Sequence, residues 1–298
     1  MRLRMRHTDY STEKTHCPNA ASDKGPGMNT TQEQPLSRHR QGNVRLELRN
    51  PPVFETSVGF YFNRVEGWHV LHQGLLWARF RERYPDFEIL PPIINAQGQL
   101  RVELDIASPI VRTGFVDKAK NQLVQIQDGL LFHNWRKTEG LPEYMRYGSV
   151  RSSLRDDWTI FGAYLRQENL KEPSVTRCEM TYFNGLVRGE DWEDFSELAD
   201  IFTSYRALPA ATSFGTVQIA AFTLVYKLPT GIVNVGVQPA IRAADGKEII
   251  QFALTSIAVP KSSDEQELFH SLDECHENAK RAFVDLTTDK ARERWKQE

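Results

Sequence analysis

The segment Gln122–Lys137, QLVQIQDGLLFHNWRK, decides the fold class. Two runs of β-type residues flank Asp128-Gly129, and a two-residue Asp-Gly loop is a strong hairpin signal, because both residues accept positive φ at low cost. Side chains alternate along a strand. Val124 and Ile126 therefore face one way, and Gln125 and Gln127 the other. In the returning strand Leu131, His133 and Trp135 share one side, while Phe132, Asn134 and Arg136 share the other. One apolar and one polar surface on the same hairpin point to an antiparallel sheet covered on one side.

Working outward, Asn50-Pro51-Pro52 is a stop-and-turn signal before a strand over Val53–Phe62. Trp68, Leu71, Leu75, Leu76 and Phe80 recur at helical spacing and predict a helix over Gly67–Tyr84, closed by Pro85. Short β-type segments follow at Leu100–Ile106 and Ile110–Phe115. After Pro142 the stripe Val150, Leu154, Trp158, Phe161 and Leu165 predicts a helix to about Gln167. The order then repeats. A strand is predicted over Val175–Val187 and a short acidic helix over Asp191–Phe202. Three strands follow, over Thr216–Leu228, Ile232–Ile241 and Glu248–Val259. A long helix spans Asp264–Leu286 with Leu268, Leu272, Cys275, Ala279, Phe283 and Leu286 as its stripe, and Thr288 can cap a last short helix.

Each half thus reads strand, helix, three or four strands, helix. The expected fold is α+β, with antiparallel sheets, helices packed on one side and a β-α-β(3-4)-α internal duplication. Two architectures fit, one like the TATA-binding protein and one of helix-grip type. The expected division is a disordered tail over residues 1–42, a first half over 43–170 and a second over 171–298. The tail is nearly free of aliphatic residues and cannot bury enough apolar surface to order itself. It carries seven Lys/Arg against four Asp/Glu, and Met28 is an alternative start.

Composition excludes more than it assigns. The net charge of -2 argues against a nucleic-acid partner, which calls for a basic face. The apolar run near Gly215–Tyr226 is too short for a membrane span. Three widely spaced cysteines, Cys17, Cys178 and Cys275, form no disulfide framework or zinc motif and suit a reducing, cytoplasmic compartment. No P-loop, GxGxxG fingerprint or nucleophile elbow is present, so neither cofactor nor metal is expected. His69 and His72 lack a third ligand.

Two surfaces remain as candidates. In Val175–Val187, Cys178, Met180 and Tyr182 read as core. Gln125, Gln127, Arg136, Arg177, Glu179 and Thr181 would then line one polar sheet face. That face predicts a non-enzymatic binding or interaction module for a protein or a small polar ligand. The plainer alternative is a solvated surface with cross-strand ion pairs. The second candidate is a small-molecule or enzyme pocket under the C-terminal helix, built from Glu179, Tyr182 and His276, with Asp273 placed to hold the His276 ring. Oligomeric state is not legible.

Four segments carry a family resemblance: Asn50-Pro51-Pro52 with its strand, Val124–Trp135, Cys178–Asn184 (CEMTYFN), and His276 with Phe283, Thr287 and Trp295. Together they resemble a sporadically distributed bacterial family without an assigned activity, over about residues 44–298. The resemblance implies a bacterial cytoplasmic protein. It carries over no catalytic residue and marks Trp135, Glu179, Tyr182, Asn184 and His276 as pattern positions.

Overall fold

Alternation along the strands is realised as one antiparallel sheet. A computed structural model of the chain describes residues 48, 50–93, 111–138, 144–205, 211–242 and 245–296. Its first half contains β1 (Val53–Phe62), α1 (Val70–Phe80), β2 (Asp86–Leu90), β3 (Arg112–Val116), β4 (Gln122–Gln127), β5 (Leu130–Arg136) and α2 (Tyr147–Gln167). The second half contains β6 (Val175–Val187), α3 (Leu198–Ile201), the two-residue strands β7 (Ala211–Thr212) and β8 (Gly215–Thr216), β9 (Phe222–Leu228), β10 (Gly231–Ile241), β11 (Glu248–Ala258), α4 (Glu265–Leu286) and α5 (Asp289–Arg294).

Nine strands form the main sheet in the order β2-β3-β4-β5-β1-β6-β11-β10-β9. In each half the opening strand is joined by the closing strand, β1 by β5 and β6 by β11. The opening strands β1 and β6 pair with each other at the centre. The two halves therefore repeat one topology about that seam, and the unit from Asn43 to Glu298 has a continuous sheet. The predicted tail and the predicted strand over Leu100–Ile106 lie outside the described residues.

The register fixes which side chains share a face. Val58 lies opposite His133 and Met180, and Phe60 opposite Leu131 and Cys178. These residues, with Val124 and Ile126, point toward the helices and are buried. α2 packs on β5 and β1, and α4 on β11, β6 and β10. All six stripe residues of α4, from Leu268 to Leu286, are buried. Burial stabilises by about 1.5–3 kcal/mol for each Leu or Phe, which is why a helix with so polar an outer face stays docked. Gly129, at φ +94°, makes the hairpin turn between β4 and β5. Gly59 serves a different need. A Cβ there would lie 2.3 Å from the Leu131 carbonyl oxygen and 2.6 Å from the Phe132 ring, so the aromatic ring occupies the space over the central strand.

Three of the predicted elements depart from the pattern, and β2 was not predicted. α1 begins at Val70 rather than Gly67, and its buried residues are His72, Gln73, Leu76 and Phe80, while Leu71 is 70% exposed. The helix is rotated because its polar residues find partners. His72 Nδ1 lies 2.6 Å from the Tyr164 hydroxyl, and the Gln73 amide bonds the Val111 carbonyl and the Thr113 hydroxyl. The acidic helix over Asp191–Phe202 shrinks to a 3-10 turn (Phe195–Glu197) and α3. Asp191 accepts from the Val187 amide, Asp194 from the Ser196 amide, and the Trp192 indole donates to the Leu186 carbonyl. Side chains that satisfy backbone groups locally compete with helix. The strand over Thr216–Leu228 is broken: the ladder between β9 and β10 stops at Phe222↔Val237, two residues before Pro239, which brings no amide to a ladder.

Candidate functional site

Gln125, Gln127, Arg136, Arg177, Glu179 and Thr181 all lie on the sheet face turned away from α2 and α4. Gln125 aligns through Phe132 and Gly59 with Glu179, so one row of the sheet carries both. Most of these groups are engaged with neighbours. The Gln127 amide exchanges two hydrogen bonds with the Ile93 backbone, each 2.9 Å. Gln125 Oε1 accepts from the Arg112 guanidinium, Arg136 donates to Glu88 at 2.9 Å, and Thr181 bonds Thr255 at 2.9 Å. The Arg177 guanidinium lies over the Tyr61 ring, 3.6 Å from its centroid. Glu179 differs: no hydrogen bond to its carboxyl is found among the described residues. Burial pushes that carboxyl up to about 7, with Arg177 pulling the other way. Burial, and then the Glu179 charge, push the Tyr61 phenol up to about 12.

On the opposite face, between the start of α2, the middle of α4 and strand β6, lies a cavity of about 290 Å³. Its walls are mostly apolar and aromatic, with Tyr144, Tyr147, Tyr182, His276 and Phe283 contributing rings. The Tyr182 hydroxyl bonds His276 Nδ1 at 2.8 Å. The Tyr147 ring stacks on the His276 ring, with centroids 4.1 Å apart and planes 10° from parallel. Asn184 presents a buried amide to the same space. Its Nδ2 donates to the Phe252 carbonyl at 2.9 Å, and its Oδ1 has no partner. Arg146 and Lys280 supply cations.

The electrostatics of this cavity favour neutral hydrogen-bonding groups. Burial, reinforced by Lys280, holds the His276 imidazole down at about 4. Burial, with Tyr144 close by, holds the Tyr182 phenol well above its ordinary range. Burial and the Asp273 carboxylate do the same for Tyr147.

The structure brings Tyr182 and His276 together as the sequence predicts, but not Glu179. Glu179 and Tyr182 are three residues apart on one strand, and an odd spacing puts them on opposite faces. Asp273 does not hold His276 either; it accepts from the Tyr147 hydroxyl at 2.7 Å and pairs with Arg151. The sequence reading left Tyr144, Arg146, Tyr147, Gly148 and Lys280 unmarked, and it named Asn184 without placing it in a pocket. Of the residues in the segments that carry the resemblance, Pro51, Val53, Tyr182, Asn184, His276 and Phe283 line the cavity.

Elsewhere, His133 has a partner invisible in the sequence. Its Nδ1 lies 2.7 Å from Asp157 of α2, both side chains fully buried, and the Tyr84 hydroxyl bonds the same carboxylate. The pair ties α2 to β5. The His69 and His72 rings lie 4.1 Å apart. Among the described residues no group of three or more His, Cys, Asp or Glu side chains is placed to hold a metal ion. Among them, too, no helix is long and apolar enough to cross a membrane.

The chain matches no protein-family model and no curated protein. Its functional reading therefore rests on geometry.

Proposed function

We propose that this protein is a binding module that holds a small molecule in the cavity between α2 and α4. The observation that carries this reading is the cavity itself, a largely apolar space of about 290 Å³ on whose wall the Tyr182 hydroxyl, the His276 ring and the buried Asn184 amide converge. Apolar walls with a few convergent polar groups are the usual form of a small-molecule site. Binding rather than proton transfer fits the protonation states: near neutral pH His276 stays uncharged and Tyr182 stays protonated, whereas acid–base catalysis favours groups that titrate near the working pH.

The test uses Gly148, which lines the cavity and where an added Cβ meets no atom within 4 Å. Ligand-observed NMR with a diverse set of small fragments is run on the parent and on Gly148→Trp. Hits that lose binding in the variant support the reading. A hit set indifferent to Gly148→Trp overturns it.

A second reading keeps the opposite sheet face as a site for a protein or a polar ligand, and Glu179 favours it as the one carboxyl there without a hydrogen bond among the described residues. A hit that survives Gly148→Trp and is lost in Glu179→Gln would belong to that face. We further propose a bacterial, cytoplasmic setting. The support is the family resemblance and two buried free thiols, Cys178 and Cys275, which suit a reducing compartment.

A further inference from the structure

We infer that the cavity selects an uncharged aromatic molecule. This deepens the ligand-binding reading above and rests on it. The first observation is the charge inventory of the walls. Among the described residues no Asp or Glu lines the cavity, and the two cations that do are engaged by neighbours. Arg146 donates to the Leu48 carbonyl at 3.1 Å, and its guanidinium lies 5.3 Å from the centroid of the Tyr144 ring. Lys280 pairs with Glu277 at 2.9 Å, and Glu277 is not a wall residue. Asp273 is held by the Tyr147 hydroxyl and the Arg151 guanidinium. Burial keeps the His276 imidazole uncharged near neutral pH. An ionised ligand would leave water and meet no unpaired counter-charge, and a buried charge without one is costly. A carboxylate could recruit Arg146 or Lys280 only in competition with Leu48, the Tyr144 ring and Glu277.

The second observation is the ring content of the walls, and it is independent of charge. Tyr144 stands just ahead of α2 and Tyr147 opens it, Tyr182 comes from β6, and His276 and Phe283 come from α4. The Tyr147 and His276 rings are stacked 4.1 Å apart, so α2 and α4 meet there as one aromatic wall. The other rings are supported from behind. Trp135 packs edge-on against Tyr144 with centroids 5.4 Å apart, and Phe283 packs against Phe252 and Trp295 at 5.9 and 5.4 Å. Rings attract one another beyond the area they bury. A flat aromatic body therefore gains over a saturated one of the same outline.

Size and hydrogen bonding supply the remaining constraints. About 290 Å³ lies at the small end of ligand sites and admits a small ring system. The Tyr182 hydroxyl and His276 Nδ1 satisfy each other at 2.8 Å, so the wall asks for little polarity in return. A ligand gains here by bringing rings and loses by bringing charge.

Four probes on one frame separate the elements of the inference: 2-naphthol, which is uncharged near neutral pH, the anion 2-naphthoate, the cation 2-naphthylmethylammonium, and the saturated decahydro-2-naphthol. Dissociation constants are measured by calorimetry or ligand-observed NMR on the full chain. The expected result is 2-naphthol binding at least tenfold more tightly than either ion and several-fold more tightly than the saturated alcohol. Its binding should be lost in Gly148→Trp, and its advantage over the saturated alcohol should shrink by half or more in Tyr147→Leu. An ion that binds as tightly as 2-naphthol and is blocked by Gly148→Trp overturns selection for an uncharged ligand while the cavity remains a ligand site. Equal binding of the saturated alcohol, or an advantage unchanged in Tyr147→Leu, overturns the aromatic element. Absence of binding by all four, with fragment hits still lost in Gly148→Trp, overturns the class alone. If fragment hits are indifferent to Gly148→Trp as well, both the inference and the reading beneath it fall.

Discussion

The Tyr182 hydroxyl and His276 Nδ1 meet at 2.8 Å, joining a central strand to the last long helix across 94 residues of chain. The contact sits in the cavity wall, where Tyr147 stacks on the same imidazole. Tyr182→Phe keeps the ring and removes the hydrogen bond, leaving His276 Nδ1 unpaired. Stability should fall by about 1–2 kcal/mol, read as a lower denaturation midpoint with an unchanged denaturant slope.

His276 also sets an acid limit. Its folded value near 4 lies below the ordinary 6.5, so the unfolded chain takes up a proton first as the pH falls. Its contribution is at its greatest above pH 6.5 and declines from there down to about 4, by roughly 3 kcal/mol in all. The variant His276→Gln should lack that decline, seen by comparing melting temperatures of the two proteins at pH 7 and pH 4.5.

Glu179 acts with the opposite sign. Its folded value near 7 lies above the ordinary 4.5, so the native protein binds the proton more tightly than the unfolded chain. Its contribution is fully favourable below pH 4.5 and is lost as the pH rises through 7. Glu179→Gln should therefore be more stable than the parent at pH 8 by about 1–3 kcal/mol, and indistinguishable from it at pH 4. A variant less stable at pH 8 would mean that the carboxylate has a partner worth more than its burial costs.

The Asp157 carboxylate is fully buried against His133 and Tyr84. Asp157→Ala leaves His133 in the core without its partner and should cost about 3–5 kcal/mol. The double variant Asp157→Leu/His133→Leu removes both polar groups together, and its loss should be clearly smaller than that of Asp157→Ala. Equal losses would show that packing volume, and not the hydrogen bond, is what α2 needs there.

At Gly59 the predicted effect is steric. A methyl group would enter the Leu131 carbonyl and the Phe132 ring, so Gly59→Ala should destabilise by several kcal/mol or prevent folding. Pairing it with Phe132→Ala, which clears the ring but not the carbonyl, should restore only part of the loss, as measured by chemical denaturation.

Strand and helix periodicity determined much of this fold by themselves. β1, β4 and β6 and the stripe of α4 follow from alternation, from Asp128-Gly129 and from helical spacing, because each is a local consequence of side-chain direction. The shared face of Gln125 and Glu179 follows too, once the strands are aligned in register. Tertiary structure decided the rest. α1 turned Leu71 outward because His72 and Gln73 found partners on α2 and near β3. The cavity draws on the start of α2, on β6 and on α4, segments from about 35 to 130 residues apart in the chain. No spacing rule reaches that far. Strand alternation alone could have separated Glu179 from Tyr182, yet only packing could place Tyr182, Asn184 and His276 around one space.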